Sequence, residues 1–161
     1  MLPAGDHLAV LDLEHDAAVR VEALAVALAK RGVALSFRLT DEARPVWADR
    51  VQLQQAVHNL IINGAEAIQS VGRTGMVVVE AKCRDGHDWL IEVRDDGPGF
   101  PPGYNLLDPT PFTSTKSDGS GIGLAVVRSI AEAHGGSLVI RSTARGSRVA
   151  ITLPGMEPAH D

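Results

Sequence analysis

The chain has 161 residues, of which 45% are hydrophobic and 4% aromatic, and its formal net charge is −5. That length and apolar content fit one domain with short tails, and the negative charge argues against a nucleic-acid partner held by a basic surface. Cys83 is the single cysteine, which excludes an internal disulfide. The sequence shows no visible signal peptide and no apolar run of membrane-spanning length, so the chain is expected to be cytoplasmic.

The first half of the chain predicts short strands in alternation with two helices. Three segments have the pattern of strands: residues 8–13, 33–39 and 46–48. A first helix is expected over residues 14–30, and Gly32 ends it. Asp49 is a good N-cap for a second helix, which runs to about Ser70.

The second half predicts two β-hairpins on either side of a third helix. The hairpin strands are residues 76–83, 89–94, 137–141 and 147–153. A loop over residues 97–118 separates them. The stretch from about residue 101 to residue 119 is long for a compact domain and is expected to be a lid that orders with its ligand. The third helix follows, and Gly135-Gly136 ends it. This order predicts an α+β fold, a two-layer α/β sandwich with one mixed sheet and helices on one face.

Three alternating glycines at positions 119, 121 and 123 run directly into the third helix. Glycine lets a ligand approach bare N–H groups, and a helix start carries unpaired N–H groups and partial positive charge. The stretch therefore predicts a phosphate-binding turn; the alternative is a flexible loop before an ordinary amphipathic helix. It is not a P-loop, because no Gly-Lys-Ser/Thr follows, and no hydrophobic strand runs into it as a dinucleotide-binding fingerprint requires.

The second helix carries Asn59, Asn63 and Glu66 close together, beside its apolar packing face. Asparagine is a poor mid-helix residue, and Gly64 adds a cost of about 1 kcal/mol relative to alanine. Partly buried amide oxygens can ligate a hard cation, and magnesium suits such neutral ligands. The alternative is a solvated polar stripe, in which glutamate and lysine would be commoner than asparagine.

The strand over residues 89–94 ends in the sequence DDGPG, residues 95–99. The pattern places a carboxylate at the edge of the sheet and then lets the chain turn closely around a ligand. Because a carboxylate only accepts hydrogen bonds, Asp95 can accept from the amino group of a purine; the alternative is a plain acidic turn. Residues 111–116, PFTSTK, add hydroxyls and one lysine where a phosphate lid would lie.

In this order and spacing the segments resemble the catalytic ATP-binding domain of sensor histidine kinases, in the superfamily that includes gyrase, the heat-shock chaperone ATPases and MutL. Residues 59–67 look like the N box, 95–99 like the first glycine box, 111–116 like the F box and 119–123 like the second glycine box. Residues 146–154 resemble the closing strand of that domain.

The resemblance covers residues 11–154 and implies the Bergerat ATP-binding fold, with a mixed, mostly antiparallel sheet. ATP would lie between the N-box helix and the lid. Residues 1–10 would then be a tail left from the linker to a dimerisation domain, and residues 155–161 a disordered C-terminal tail.

The resemblance also assigns roles to individual residues. Asn63 is implied as the magnesium ligand, supported by Asn59; Asp95 would read the adenine amino group, and Ser147 would hydrogen-bond Asp95 or a water beside the adenine. Asn59 and Lys116 are the implied catalytic residues, with Lys116 adding charge at the phosphates from the lid. The other nucleotide-binding residues implied are Gly97, Gly99, Thr115, Gly119, Ser120, Gly121, Ile122, Gly123 and Leu124.

The chain departs from the family pattern in several places. Many members carry a Lys-Tyr pair one turn after the second asparagine of the N box, whereas this chain has Glu66-Ala67, as in the nitrogen-regulation branch. Phosphate charge would then come from Lys116 or Arg128. Gly64 replaces the usual alanine, and Thr113 stands where a second aromatic is common, which implies a weaker lid anchor.

The resemblance implies that the chain binds Mg-ATP and supplies the γ-phosphate to a histidine on a separate dimerisation domain, for relay to a response regulator. No segment resembles the phosphoaccepting histidine motif, so the chain alone is expected to be a monomer that does not label itself. His134 is expected to interact with the end of its own helix. The alternatives are a gyrase-type hydrolase and a regulatory nucleotide-binding module; Asn59 disfavours the hydrolase, which carries a glutamate there.

Overall fold

A computed structural model of the chain describes residues 8–11, 23–39, 46–84, 88–100 and 122–154. The expected start of the first helix, the expected lid and the C-terminal tail lie outside these ranges. Within the described ranges, no helix combines the length and the apolar character needed to cross a membrane.

Three helices and seven strands make up the described part of the chain. In chain order they are β1 (Leu8–Leu11), α1 (residues 23–29), β2 (Val33–Leu39), β3 (Val46–Asp49), α2 (Arg50–Ser70), β4 (Gly75–Arg84), β5 (Asp88–Asp95), α3 (Ile122–Ala133), β6 (Ser137–Thr143) and β7 (Gly146–Leu153).

Five of the strands form the main sheet, in the order β2-β4-β5-β7-β6. β2 is parallel to β4, and the other three pairings are antiparallel. β1 and β3 form a separate antiparallel pair, so residues 8–10 of the expected N-terminal tail are paired with the domain. The expected mixed, mostly antiparallel sheet is confirmed.

The core lies between the main sheet and helices α2 and α3. Along β5 the side chains of Trp89, Ile91 and Val93 are buried and alternate with more exposed ones, as expected for a strand covered on one face. Helix α2 packs on β4 and β5, while α3 packs on β6 and β7 and against α2. The two-layer sandwich with helices on one face is therefore confirmed.

The ends of α2 and α3 follow from local side-chain and glycine chemistry. Asp49 caps α2 as predicted, since its Oδ1 accepts from the backbone N–H of Gln52 at 3.1 Å. Gly135 ends α3 with φ of +75°, a conformation that glycine adopts without strain. The N–H of Gly136 donates to the Ala131 carbonyl at 2.8 Å, which completes a Schellman-type C-cap.

His134 joins the C-terminal end of α3 to the N-terminal end of α2. Its side chain is buried, with Nδ1 2.7 Å from the Ile130 carbonyl oxygen and Nε2 accepting from the Asp49 N–H at 3.0 Å. Because Nε2 accepts, the proton must be on Nδ1, which donates to Ile130. The predicted contact with the end of its own helix is confirmed, and the second bond fixes α3 against α2.

Candidate nucleotide site

Helix α2 places the two asparagines of the N box, Asn59 and Asn63, at the edge of the hydrophobic core. Asn59 and Asn63 are half-buried and one turn apart, while the adjacent Leu60 and Ile61 are buried in the core. The amide groups are therefore held on a fixed backbone beside the apolar layer, at the position that the sequence pattern predicted for them.

The first turn of α3 lies directly against Asn63. A Cβ added to Gly123 would be 3.3 Å from Nδ2 and 3.4 Å from Oδ1 of Asn63. Such distances are shorter than most side-chain contacts, so glycine at this position lets α3 approach the asparagine. The structure thus brings the second glycine box, through Gly123, into contact with the N box.

Asp95 is the last residue of β5, and both of its carboxylate oxygens accept hydrogen bonds. Oδ1 accepts from the Gly97 N–H at 2.9 Å, and Oδ2 accepts from the Ser147 hydroxyl at 2.5 Å. Ser147 faces Asp95 across the β5–β7 pairing and is itself buried. Of the two partners that the resemblance implied for Ser147, Asp95 or a water beside the adenine, the structure shows the bond to Asp95. Together the two donors fix the orientation of the carboxylate.

Gly64 brings Asp95 close to helix α2. A Cβ on Gly64 would be 3.2 Å from Asp95 Cβ and 3.3 Å from Val77 Cγ2. Glycine at position 64 lowers helix propensity, but its lack of a side chain lets the N-box helix pack closely on the end of β5. Sequence reasoning noted Gly64 as a departure from the family pattern but gave no reason for it; the structure supplies one.

Gly97 and Gly99 shape the turn that follows Asp95. A Cβ on Gly97 would be 3.1 Å from Ala67 Cβ, and one on Gly99, whose φ is +79°, would collide with the Thr143 carbonyl oxygen. The Phe100 N–H donates to Ser142 Oγ at 2.7 Å. The turn is thus fixed between helix α2 and the β6–β7 hairpin.

Asp96 is a positioning residue that sequence reasoning missed. Its Oδ1 accepts from the Met76 N–H at 2.9 Å, and its carbonyl oxygen accepts from the Arg73 guanidinium. These bonds hold the chain immediately after Asp95 against the start of β4. No local signal in the sequence indicates this role, since Met76 is 20 positions away along the chain.

The remaining predicted site residues are described in part or not at all. Thr115, Lys116, Gly119, Ser120 and Gly121 lie outside the described residues, whereas Ile122, Gly123 and Leu124 form the first turn of α3. Leu124 is buried in the core.

Arg128, the alternative source of phosphate charge, pairs with Glu132 one turn further along α3, with Nε 3.0 Å from Oε1. Over the described ranges no cluster of three or more His, Cys, Asp or Glu side chains could hold a metal ion. Asn63, which lies against Gly123 in the first turn of α3, and Asn59 one turn before it have amide oxygens of the kind that could hold a magnesium ion together with waters and phosphate oxygens.

Comparison with known proteins identifies the family. The family model described as histidine kinase-, DNA gyrase B-, and HSP90-like ATPase matches residues 48–157. The C4-dicarboxylate transport sensor protein DctS of Rhodobacter capsulatus is 40% identical over 150 residues, which cover 91% of this chain and 22% of DctS. The sensor histidine kinase ZraS of Salmonella typhi is 38% identical over 125 residues, which cover 77% of this chain and 26% of ZraS.

Solved structures agree on the fold. The catalytic domain of histidine kinase ThkA superposes with a TM-score of 0.80 at 23% identity, over 93% of this chain and 97% of that domain. Full-length ShkA in complex with AMPPNP also gives a TM-score of 0.80 at 23% identity, over 97% of this chain and 33% of ShkA. The chain spans about a quarter of the length of the curated relatives it matches. It therefore belongs to the histidine kinase-, DNA gyrase B- and HSP90-like ATPase family, as a catalytic ATP-binding domain of the sensor histidine kinase type.

Proposed function

We propose that this chain binds Mg-ATP and supplies the γ-phosphate to a histidine on the dimerisation domain of a longer sensor kinase, in the cytoplasm. The observation that carries the proposal is the position of Asp95, oriented by Ser147 and Gly97 and packed against Gly64 of the N-box helix. A carboxylate only accepts hydrogen bonds, and each of its oxygens can accept more than one, so Asp95 can accept from an adenine amino group.

The phosphates would lie toward the first turn of α3. Gly123 and Leu124 begin that helix beside Asn63, and unpaired N–H groups at a helix start favour phosphate. Asn63, supported by Asn59, would hold the magnesium ion. When bound there, the ion would offset negative charge on the transferring phosphoryl group.

The described residues of the site bind and orient the nucleotide without activating a nucleophile. Asn59 lies where the hydrolases of the superfamily carry a glutamate, and a neutral amide does not take a proton from water. The nucleophile in the proposed reaction is therefore the imidazole of a histidine on another domain, and catalysis rests on positioning and charge neutralisation.

The proposed partners are that histidine-containing dimerisation domain, through which the parent kinase would be a homodimer, and a response regulator. Histidine kinase ThkA was solved in complex with the response regulator protein TrrA, and it superposes on this chain with a TM-score of 0.74 at 21% identity. The isolated domain is expected to be a monomer.

Calorimetric titration with ATP and magnesium tests the binding part of the proposal. Asp95→Asn should abolish measurable binding, because an amide offers donors where adenine also donates. Asp88→Asn, at the exposed opposite end of β5, is the matched control and should bind as wild type does. If Asp95→Asn binds ATP as tightly as wild type, the adenine assignment is wrong.

Transfer is tested by mixing the chain with γ-labelled ATP, magnesium and the histidine-containing domain of the parent kinase. Label on that histidine supports the kinase function. Tight ATP binding with no transfer to the histidine would instead favour a regulatory nucleotide-binding module.

A further inference from the structure

Four arginines gather on the face of the sheet that the helices do not cover. Val93, Val149 and Ile140 lie side by side on β5, β7 and β6 and face the helices. Side chains alternate along a strand, so the next row faces the opposite side. That row consists of Arg94, Arg148 and Arg141, and Arg145 lies in the turn between β6 and β7.

These arginines line an open groove of about 470 Å³, whose other lining residues are Asp95, Thr143, Gly146 and Ser147. The volume is within the range of small-molecule sites, roughly 300–1,000 Å³. Of the described residues, neither Gly123 nor Leu124 of the predicted phosphate-binding turn lines the groove, whereas Asp95 and Ser147 of the proposed adenine site do. It is therefore a second concave surface, behind the end of the sheet that holds Asp95.

The charge in the groove is only partly compensated by the protein. Arg94 forms ion pairs with two acidic neighbours on the same face: its Nη2 is 3.7 Å from Oε2 of Glu80, and its Nε is 3.4 Å from Oε1 of Glu92. Within the described part of the chain, no ion pair or side-chain hydrogen bond engages the guanidinium groups of Arg141, Arg145 and Arg148.

The arrangement is also unfavourable on its own. Arg148 is directly opposite Arg94 on β5 and directly opposite Arg141 on β6. Like charges in directly opposed positions of neighbouring strands destabilise a sheet. An anion bound between the guanidinium groups would remove that repulsion, and the planar fork of arginine matches phosphate oxygens in pairs.

We propose that this arginine groove binds a small ligand carrying two or more phosphate groups, at a site that adjoins the nucleotide site at Asp95 and Ser147. The size of the groove favours a small molecule. The net charge of −5 on the whole chain opposes a nucleic acid or an anionic membrane, which would contact a far wider surface. The two oxygens of Asp95 already accept hydrogen bonds from Gly97 and Ser147, so the charge of that carboxylate is partly offset next to a bound anion.

The test is calorimetric titration of the full chain with pyrophosphate in metal-free buffer. The double variant Arg141→Ala/Arg148→Ala should bind at least about tenfold more weakly than wild type, since each lost guanidinium removes charge-assisted hydrogen bonds. Arg38→Ala is the matched control, because Arg38 is an exposed arginine on β2, at the opposite edge of the same sheet. It should bind pyrophosphate as wild type does.

Two further measurements locate the site and check the fold. In NMR titrations, the amide signals that pyrophosphate shifts should cluster at residues 143–148 rather than at residues 122–124. Without ligand, the double variant should melt at or above the wild-type temperature, because repulsion between neighbouring arginines is removed. Pyrophosphate should raise the melting temperature of wild type more than that of the variant.

The proposal is overturned by any of four results: no binding to wild type, shifts confined to residues 122–124, an equal loss in Arg38→Ala and in the double variant, or tighter binding of citrate than of pyrophosphate. The last result would assign the groove to carboxylates instead of phosphates. ATP binding should be unchanged in the double variant, so failure of this proposal is distinguishable from failure of the nucleotide site.

Discussion

The hydroxyl of Ser147 donates to Oδ2 of Asp95 across the β5–β7 pairing, at 2.5 Å. The Gly97 N–H occupies the other oxygen, so the carboxylate is restrained from two sides before any ligand arrives. A preorganised acceptor loses less freedom on binding than a mobile one. Recognition of adenine by this site should therefore depend on Ser147 as well as on Asp95.

Replacing Ser147 should weaken ATP binding without unfolding the domain. Ser147→Ala removes one charge-assisted hydrogen bond to Asp95, and we expect about a tenfold loss of affinity, equivalent to roughly 1.4 kcal/mol. Ser147→Thr keeps the hydroxyl and should bind within about twofold of wild type, which isolates the hydrogen bond from the change in volume. Equal affinities of the alanine variant and wild type, measured by calorimetry, would show that Ser147 does not orient Asp95 for ATP.

Gly64→Ala should weaken ATP binding while changing the stability of the domain only slightly. The added methyl would press on Asp95 Cβ and Val77 Cγ2, at 3.2 and 3.3 Å. Overpacking of this kind costs typically about 1–3 kcal/mol, while alanine gains about 1 kcal/mol in helix propensity. The net change in unfolding free energy should be small, whereas ATP affinity should fall because Asp95 is displaced.

Denaturant unfolding and calorimetry on the same Gly64→Ala sample measure both quantities. Gln55→Ala, on the exposed side of α2, shows the effect of helix propensity away from Asp95. An unchanged ATP affinity in Gly64→Ala would mean that the contact with Asp95 has no part in binding.

His134→Ala should destabilise the whole domain. The substitution leaves the buried Asp49 N–H without its acceptor, which costs about 1–3 kcal/mol. His58→Ala removes an exposed histidine from α2 and should change stability by less than about 0.5 kcal/mol. Urea unfolding of the two variants gives the comparison, and similar losses in both would exclude a special role for the bond between His134 and Asp49.

Local patterns were enough to predict much of this fold and part of the site. The spacing of Asn59 and Asn63 on one helix, the cap at Asp49 and the glycines that end α3 follow from rules that act within a few residues. The bond between Ser147 and Asp95 joins residues 52 positions apart, so no local rule indicates it; the resemblance to the family implied it as one of two alternatives.

Contacts of long sequence separation were the ones that local rules missed. Asp49 and His134 are 85 positions apart, and Asp96 and Met76 are 20 apart. Nothing in the neighbourhood of either residue identifies its partner, since the pairing depends on how the helices and strands pack. The contact of Gly64 with Asp95 was missed for the same reason: helix propensity accounts only for the cost of the glycine.

Asn63→Ala should weaken nucleotide binding mainly when magnesium is present. If the Asn63 amide oxygen is a ligand of the ion, its loss removes a contact that exists only in the Mg-ATP complex. Calorimetry with ATP in magnesium and in chelator measures the two affinities, and Asn59→Ala should show a smaller loss with the same dependence. Equal losses of affinity with and without magnesium would instead assign Asn63 to packing against the first turn of α3.

The isolated chain should hydrolyse ATP barely above background and should never label itself. Intramolecular placement of a nucleophile contributes several kcal/mol to such reactions, roughly 7–11 in well-oriented cases, and the described site supplies no nucleophile of its own. Asn59→Glu should raise phosphate release, because a carboxylate at this half-buried position on α2 can act as a base toward water. Asn59→Gln, a longer side chain without charge, is the matched control and should leave phosphate release at the wild-type level. Vigorous phosphate release by the unmodified chain that is lost in Asn63→Ala would establish a hydrolase in place of the proposed kinase.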